Sequence, residues 1–288
     1  MLKMLYYPGC SVKNVAKRYE KASLTLLRSF GIEPIELYRW NCCGVVYNLA
    51  TDTQFYLVAP TRNLIRAQEM SKEVGSNELL VICPMCYNVL CNAELRLRND
   101  RIAYERITKF MDDEEPYEFK IKIRHLLQVL SENIGIEKIS KRVKKDMSKA
   151  KIATFYGCLL LRPKEVAIDD PEDPQIIENL VLNVGCDAVD HPYRNECCGS
   201  YNVVREPEAV WNRICEIVSS MINSGANMIV ATCPLCVFNL EEGQKRRRHE
   251  LKGKFLPVFY VSEVLCYALG LFDGLEPSVY ESLKRVLG

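Results

Sequence analysis

An apolar run near the amino terminus ends in glycine and cysteine, Met4-Leu5-Tyr6-Tyr7-Pro8-Gly9-Cys10. A matching run follows at an offset of about 150 residues, Ile152-Ala153-Thr154-Phe155-Tyr156-Gly157-Cys158. A similar offset relates Tyr38-Arg39-Trp40-Asn41-Cys42-Cys43-Gly44 to Tyr193-Arg194-Asn195-Glu196-Cys197-Cys198-Gly199. Because solenoid repeats recur at roughly 20 to 50 residues, an offset this long indicates a duplicated domain. We therefore expect two homologous lobes.

Each half completes its pattern with a Cys-x-x-Cys sequence, Cys83-Pro84-Met85-Cys86 in the first half and Cys233-Pro234-Leu235-Cys236 in the second. The two repeated sets are Cys10, Cys42, Cys43, Cys83 and Cys86, and Cys158, Cys197, Cys198, Cys233 and Cys236. Five thiolates per half exceed the four that tetrahedral zinc or an ordinary cubane cluster needs. The surplus favours an iron–sulfur centre that uses an additional sulfur, with structural zinc in the first half as the alternative.

The composition bounds the class of protein. With 288 residues, of which 48% are hydrophobic, the chain can bury two cores of modest size. The 38 basic and 37 acidic side chains nearly cancel, so we expect no nucleic-acid partner. The amino-terminal apolar run is too short for a secretory signal, and no run approaches the roughly 20 apolar residues that span a bilayer. We expect a cytoplasmic protein, not inserted in a membrane, whose cysteines stay reduced and bind metal.

Between the double cysteine and the Cys-x-x-Cys sequence, each half predicts a helix. In the second half the helix begins near Pro207 and stops at Gly225, and residues 60–75 form a weaker segment in the first half. Apolar runs at residues 119–123 and 255–260 would extend each lobe to about four strands. The alternation predicts an α/β fold in which each lobe is a small parallel sheet with covering helices.

Three cysteine groups in each half follow predicted strands. Ligands bind beyond the carboxyl ends of parallel strands, so one edge of each sheet would gather five sulfurs. Pro84 and Pro234 suit the first turn of a helix, whose amides would stabilise the thiolate charge. The lysine-rich residues 138–151 mark the boundary between an amino-terminal domain, residues 1–146, and a carboxyl-terminal domain, residues 147–288.

These motifs resemble the cysteine-rich CCG domain, and the pair on one short chain is similar to the B subunit of heterodisulfide reductase. The resemblance covers nearly the whole chain. It implies a non-cubane 4Fe-4S cluster in each half, bound by five cysteines of which one bridges. The clusters would be ligated by Cys10, Cys42, Cys43, Cys83 and Cys86, and by Cys158, Cys197, Cys198, Cys233 and Cys236. The sequence does not show which cysteine bridges.

The resemblance also implies a reaction and partners. The family reaction, which belongs to methanogenesis, reduces the mixed disulfide of coenzyme M and coenzyme B to two thiols. The chain has no C-x2-C-x2-C-x3-C run, so electrons would come from a ferredoxin-like iron–sulfur subunit, fed by a flavin-containing subunit of the same complex. Because a disulfide takes two electrons, we hypothesise that it lies between the lobes and is cleaved by both clusters together. The alternative is an electron-relay or scaffold subunit of another CCG-type dehydrogenase complex.

Other residues leave two interpretations open. Arg39 and Arg194 precede the double cysteines, where a guanidinium could hold a sulfonate or phosphate of the family's substrate, or could instead pack and cap the loops. His191 is close enough to the second double cysteine to donate a proton, although a structural role is favoured. Four cysteines outside the pattern are interpreted as small buried apolar side chains: Cys91, Cys186, Cys215 and Cys266.

Overall fold

The computed structural model describes residues 2–46 and 53–288, which form two α/β lobes. Each lobe contains a four-stranded sheet. The strands of the first lobe are β1 (Leu2–Tyr7), β2 (Ile32–Glu36), β3 (Glu78–Val81) and β4 (Lys122–His125). Those of the second lobe are β5 (Lys151–Phe155), β6 (Asp187–Val189), β7 (Met228–Ala231) and β8 (Val258–Tyr260).

Helices cover both sheets. The first lobe has α1 (Cys10–Asn14), α2 (Lys17–Ser29), α3 (Val58–Val74), α4 (Pro84–Asn99), α5 (Arg101–Phe110), α6 (Leu126–Gln128) and α7 (Ile136–Ser140). A 3-10 turn (Gln54–Leu57) leads into α3, and a π-helical segment (Val129–Gly135) joins α6 to α7. The second lobe has α8 (Ile176–Leu182), α9 (Asn202–Arg205), α10 (Pro207–Asn223), α11 (Pro234–Arg246), α12 (Val261–Ala268) and α13 (Pro277–Leu287), with 3-10 turns at Lys164–Val166 and Phe272–Gly274.

The two sheets have the same topology. Their strand orders are β2-β1-β3-β4 and β6-β5-β7-β8, and neighbouring strands run parallel. The central pairs share a register, with Leu5 opposite Leu79 in one sheet and Ala153 opposite Ile229 in the other. The repeated order confirms the predicted α/β fold of two homologous lobes related by internal duplication.

Local sequence explains where the elements begin and end. Strand β7 is buried along its whole length, as expected for a parallel strand covered on both faces. Helix α10 begins with Pro207 and buries Val210, Ile214 and Ile217 at helical spacing. Helix α3 ends where Gly75 takes a left-handed conformation with φ of 72°.

The predicted and observed bounds differ most in strand β4 of the first lobe. The two predicted helices lie within a few residues of α3 and α10. The apolar run at residues 119–123 becomes strand β4 only from Lys122, because Phe119 has a positive φ of 57° and packs its ring against Tyr117. The short strands β2 and β6 were expected before the double cysteines, but the sequence argument did not assign residues to them.

Helix α2 of the first lobe packs against α12 of the second. The hydroxyl of Ser23 donates a hydrogen bond to that of Ser262 at 3.1 Å, and both side chains are fully buried. The rings of Tyr19 and Tyr260 stack with their centroids 4.2 Å apart. These buried contacts hold the two sheets, and therefore their cysteine-bearing edges, in a fixed relation.

Candidate metal centres

The structure places three cysteine groups beyond the carboxyl ends of three adjacent strands in each lobe. In the first lobe, Cys10 follows β1, Cys42 and Cys43 follow β2, and Cys83 follows β3 as the N-cap of α4. The second lobe repeats this arrangement after β5, β6 and β7 with Cys158, Cys197, Cys198 and Cys233. Because β2, β1 and β3 are neighbours, as are β6, β5 and β7, the groups lie side by side.

The first set of sulfurs forms a connected chain. The Sγ atoms of Cys10 and Cys42 are 3.7 Å apart, and hydrogen bonding to Cys42 raises the pKa of Cys10. Hydrogen bonds from Cys42 and Cys86 lower the pKa of Cys43. Bonding to Cys43 and Cys83 raises the pKa of the buried Cys86 thiol. The order along the chain is therefore Cys10, Cys42, Cys43, Cys86 and Cys83.

The second set repeats that order. Bonding to Cys197 raises the pKa of Cys158, whereas bonds from Cys158 and Cys198 lower the pKa of Cys197. Bonding to Cys198 and Cys233 raises the pKa of Cys236. All five side chains line one cavity at the sheet edge. The two lobes thus contain copies of one sulfur chain, which follow the repeat of the motifs.

The chemistry of the donor set limits the kinds of metal group that it could hold. All ten side chains are free thiols, and in the described ranges no His, Cys, Asp or Glu group is arranged to hold a single metal ion. The five sulfurs of each lobe instead contact one another in pairs. A group of several iron atoms, which takes its protein ligands from cysteine, fits such a set of soft donors.

Two glycines let the main chain approach these sulfurs closely. A β-carbon added to Gly9 would lie 2.8 Å from Sγ of Cys86, and one added to Gly157 would lie 3.0 Å from Sγ of Cys236. Both glycines also have positive φ, 73° and 69°, which other residues adopt at a cost. The close approach is thus built into each lobe at the same place.

Main-chain groups offset negative charge on the sulfurs. The N–H of Gly44 donates to Sγ of Cys42 at 3.5 Å. Helices α4 and α11 begin directly after Cys83 and Cys233, so the positive ends of their dipoles lie beside the sulfurs. Both features place the positive end of a main-chain dipole beside a sulfur.

A cleft between the lobes lies beside both Cys-x-x-Cys sequences. It is lined from both sides by Arg18, Met85, Tyr201, Leu235, Phe238 and Tyr260. Met85 and Leu235 are residues inside the two Cys-x-x-Cys sequences. Burial, followed by the thiols of Cys83 and Cys233, raises the pKa of Tyr201. The Tyr201 phenol therefore lies within electrostatic reach of cysteines from both lobes.

Comparison with known protein families explains the repeat. The family model described as CCG, cysteine-rich domain, matches residues 4–91 and again residues 152–241. The chain belongs to the CCG cysteine-rich domain family. Each matched CCG copy contains one complete set of five cysteines. Family membership and the sulfur chains together point to iron–sulfur centres.

Curated relatives of this CCG protein align over nearly its whole length. It is 30% identical to the 8-methylmenaquinol:fumarate reductase membrane anchor subunit of Wolinella succinogenes, with 97% of each chain covered. It is 27% identical to the B subunit of the ferredoxin/F(420)H(2)-dependent CoB-CoM heterodisulfide reductase of Methanosarcina acetivorans, covering 99% of this chain and 96% of that one. Along residues 2–46 and 53–288, every helix is too short or too polar to cross a membrane.

One solved structure shows the same fold. It is the crystal structure of a hypothetical protein from Helicobacter pylori, with a TM-score of 0.71 and 15% sequence identity. The match covers 93% of the present CCG chain but only 49% of the other, so this chain spans about half of that protein's length. At this identity the likeness concerns the fold alone.

The other residues that the sequence singled out have structural partners. Arg39 forms an ion pair with Glu69 at 2.8 Å, and Arg194 forms one with Asp173. These pairs favour the interpretation in which both arginines pack the loops before the CCG cysteines. His191 is buried, and its Nε2 lies 2.8 Å from a main-chain carbonyl of β5. This contact favours a structural role for the histidine.

The four cysteines outside the CCG pattern lie apart from the sulfur chains. Cys186 and Cys266 are buried, whereas Cys91 and Cys215 are partly exposed. Burial raises the pKa of Cys91, Cys186 and Cys266 to about 12, which keeps these thiols neutral. The interpretation as small buried apolar side chains is therefore confirmed for Cys186 and Cys266, whereas the partial exposure of Cys91 and Cys215 departs from it.

Three residues near the sulfurs were missed by sequence reasoning. Arg18 reaches from α2 to Glu241 of the second lobe at 2.9 Å and lies over the Tyr260 ring. Tyr201 follows the second CCG motif without any pattern of its own. Asn239 contacts the second sulfur chain from α11. Its position three residues after Cys236 was the available signal, since such residues share a helix face.

Proposed function

We propose that the chain is the disulfide-reducing subunit of a heterodisulfide reductase complex and acts on the mixed disulfide of coenzyme M and coenzyme B. The observation that carries the proposal is the pair of five-sulfur chains beside one cleft. Relatives named as the B subunit of CoB-CoM heterodisulfide reductase support it. Breaking the S–S bond takes two electrons and two protons and yields two thiols, which suits two redox centres beside one space.

The cysteines of each lobe would hold one non-cubane 4Fe-4S cluster, with zinc in the amino-terminal lobe as the lesser alternative. When bound, such clusters supply single electrons and iron that can take a sulfur ligand. The ligands would be Cys10, Cys42, Cys43, Cys83 and Cys86 in the first lobe and Cys158, Cys197, Cys198, Cys233 and Cys236 in the second. The buried inner cysteines keep water away from the centre, which strengthens electrostatic interactions there.

The cleft residues would bind the substrate and donate a hydrogen bond to its sulfur. Met85 and Leu235 offer apolar surface beside both sulfur chains. Because burial raises the pKa of Tyr201, its phenol stays protonated and can donate a hydrogen bond to a sulfur that gains charge. Arg18 is already paired with Glu241 and Glu263, so it shapes the cleft instead of offering a free positive charge.

Electrons would reach the chain from other proteins of the complex. The sequence lacks the ferredoxin-type cysteine run, so we propose two partners, a ferredoxin-like iron–sulfur subunit and a flavin-containing subunit. Metal ligation by ten cysteines needs reduced thiols, which supports a cytoplasmic location for the complex.

An anaerobic assay tests the proposal directly. The purified chain is mixed with a reduced one-electron dye and the heterodisulfide, and the thiols formed are counted. We expect one pair of thiols for every two electrons consumed, and loss of turnover in Cys198→Ala and Cys43→Ala. Cys186→Ala is the matched control, because it removes a buried thiol outside the sulfur chains. Full activity of either ligand variant contradicts the assignment.

The second candidate is an electron-relay or scaffold subunit of another CCG-type complex. Its support is the 30% identity to a protein named as a fumarate reductase subunit. A relay accepts and passes single electrons but has no reason to form thiols from a disulfide. A fully loaded chain that is reduced by the dye and forms no thiol would favour the relay over the reductase.

A further inference from the structure

One buried amide distinguishes the surroundings of the two sulfur chains. Asn239 of α11 is fully buried, and its Nδ2 donates to Sγ of Cys198 at 3.5 Å. The same nitrogen lies 3.1 Å from the carbonyl of Cys198 and 3.2 Å from that of Ser200. At the corresponding place, three residues after Cys86, the first lobe has Val89, which has no donor.

Among residues 2–46 and 53–288, the main-chain donors to the double cysteines are common to both lobes. In each lobe a main-chain N–H, from the residue two positions further along, reaches each sulfur of the pair. The first lobe adds Ser11 beside Cys10, at the partly exposed end of its chain. Asn239 is thus an extra donor in the buried middle of the second chain.

The side-chain carbonyl of Asn239 makes an unfavourable contribution to the stability of the fold. Oδ1 of Asn239 is buried and has no hydrogen-bond partner in the described part of the chain. An apolar side chain such as Val89 avoids the loss of free energy that a buried unpaired carbonyl causes. What Asn239 contributes in return is its N–H group.

We infer that Asn239 raises the reduction potential of the metal centre on the second sulfur chain by donating to the Cys198 thiolate. The inference rests on the proposed iron–sulfur centre of that lobe, but not on the identity of its substrate. A donor to a ligating sulfur withdraws negative charge and stabilises the reduced state, which carries one more electron. Val89 gives the first lobe no such contribution, so the two centres are not interchangeable in potential.

Anaerobic potentiometric titration, followed by electron paramagnetic resonance, tests this assignment in the full chain. Cys43→Ala identifies the transition of the second lobe by removing that of the first. We expect Asn239→Val to move the second-lobe midpoint to a more negative potential, with iron and sulfide content unchanged. Gln244→Leu is the matched control, because Gln244 is a buried amide of the same helix that donates to the carbonyls of Leu240 and Leu256. It should leave both midpoints in place.

Several outcomes overturn the inference. An unchanged second-lobe midpoint in a fully loaded Asn239→Val protein removes the tuning role. Asn239→Leu, which has nearly the same shape, repeats the test if the valine variant loses iron. Loss of iron from both variants, with Gln244→Leu intact, would show that the amide only holds the loop. A midpoint shift without any thiol formation in the disulfide assay would retain the tuning role and contradict the proposed reductase activity.

Discussion

The two lobes share a strand order and a sulfur chain but differ in the side chains around the sulfurs. Cys42 is exposed in the first lobe, whereas its counterpart Cys197 is only partly exposed. The first double-cysteine loop is held by Asn63 of α3, whose Oδ1 accepts from the Asn41 N–H at 2.9 Å. The second is held by Asn239 of α11. Duplication kept the cysteines and let their supports diverge, so the proposed ligation and the proposed tuning can be changed separately.

Removing one ligand from each lobe should have the largest effect. We expect Cys43→Ala and Cys198→Ala each to lose the centre of their own lobe and to keep the other, because the sulfur chains are separate. With two clusters, iron and sulfide analysis would show about four of about eight irons lost in each variant. With zinc in the first lobe, Cys43→Ala would lose zinc and keep its iron. Unchanged metal content in both variants would contradict the ligand assignment.

The glycines beside the sulfurs come next in expected effect. Ala at Gly9 or Gly157 must adopt a positive φ, which costs on the order of 1–3 kcal/mol, and its β-carbon would also press on a cysteine sulfur. Gly135→Ala is the matched control, since Gly135 has φ of 88° and ψ of 135°, close to the 73° and 161° of Gly9, and no atom lies within 4 Å of an added β-carbon. We expect Gly9→Ala and Gly157→Ala to lower the free energy of unfolding more than the control and to lose metal.

Urea unfolding and iron analysis of the three glycine variants decide the point. The contact is closer at Gly9, 2.8 Å against 3.0 Å at Gly157, so the first-lobe variant should be affected at least as strongly. If all three substitutions lowered the free energy of unfolding equally and the proteins kept their iron, the close contacts between the glycines and the sulfurs would contribute nothing to stability or metal binding.

The fold followed from sequence where apolar pattern and repeat agreed. Helix α10 begins at the predicted Pro207, and four strands per lobe were expected. The residues of the edge strands β2 and β6 could not be assigned from sequence, because these strands carry no continuous apolar run. Ile32–Glu36 contains a proline and two glutamates, and Asp187–Val189 is only half-buried. Neither strand has the strong pattern that marks a central strand.

The grouping of the cysteines was predictable, and their surroundings were less so. Repeated spacing marked all ten cysteines, because spacing is a local property of the motif, and their role as ligands stays a prediction. Tyr201 and Arg18 reach the cleft only through the way the lobes pack, which no local pattern encodes. The contact between Asn239 and Cys198 likewise joins residues from two separate elements.

The lobes also differ in the residue that caps the helix after the last strand. Gln128 accepts from the N–H of His125 in the first lobe, and Glu263 accepts from that of Tyr260 in the second. Burial, only partly offset by Arg18, raises the pKa of Glu263 from 4.5 to about 7. The folded state therefore binds a proton that the unfolded state has released, so this group's contribution to stability falls as pH rises from about 4.5 through about 7.

Glu263→Gln makes the second lobe resemble the first and should remove this dependence. We expect the stability of the variant relative to the parent to rise between pH 5 and pH 8, by up to about 3 kcal/mol. Urea unfolding at both pH values measures the difference, and Gln244→Leu controls for a buried change elsewhere in the lobe. Parallel pH profiles of variant and parent would show that Glu263 is not the titrating group.

The smallest expected effect concerns residues two positions after Cys86 and Cys236. Nδ2 of Asn88 donates across the lobe boundary to the carbonyls of Leu159 and Arg162 at 2.9 and 2.8 Å, whereas its counterpart Phe238 is 51% exposed beside the cleft. We expect Asn88→Ala to lower the free energy of unfolding by about 1–2 kcal/mol and Phe238→Ala by less than about 0.5 kcal/mol.

Phe238→Ala should instead weaken substrate binding and leave stability almost unchanged, because its ring lines the cleft. Urea unfolding and the KM of the disulfide assay, measured on both variants, separate the two roles. Asn88 lies in helix α4, whose N-cap is Cys83, so its contact with the residue just after Cys158 ties the sulfur-bearing edges together. Equal losses of unfolding free energy in the two variants would mean that helices α4 and α11 kept one role. A loss of stability in Asn88→Ala alone and a raised KM in Phe238→Ala alone would show that one helix faces the partner lobe and the other faces the ligand.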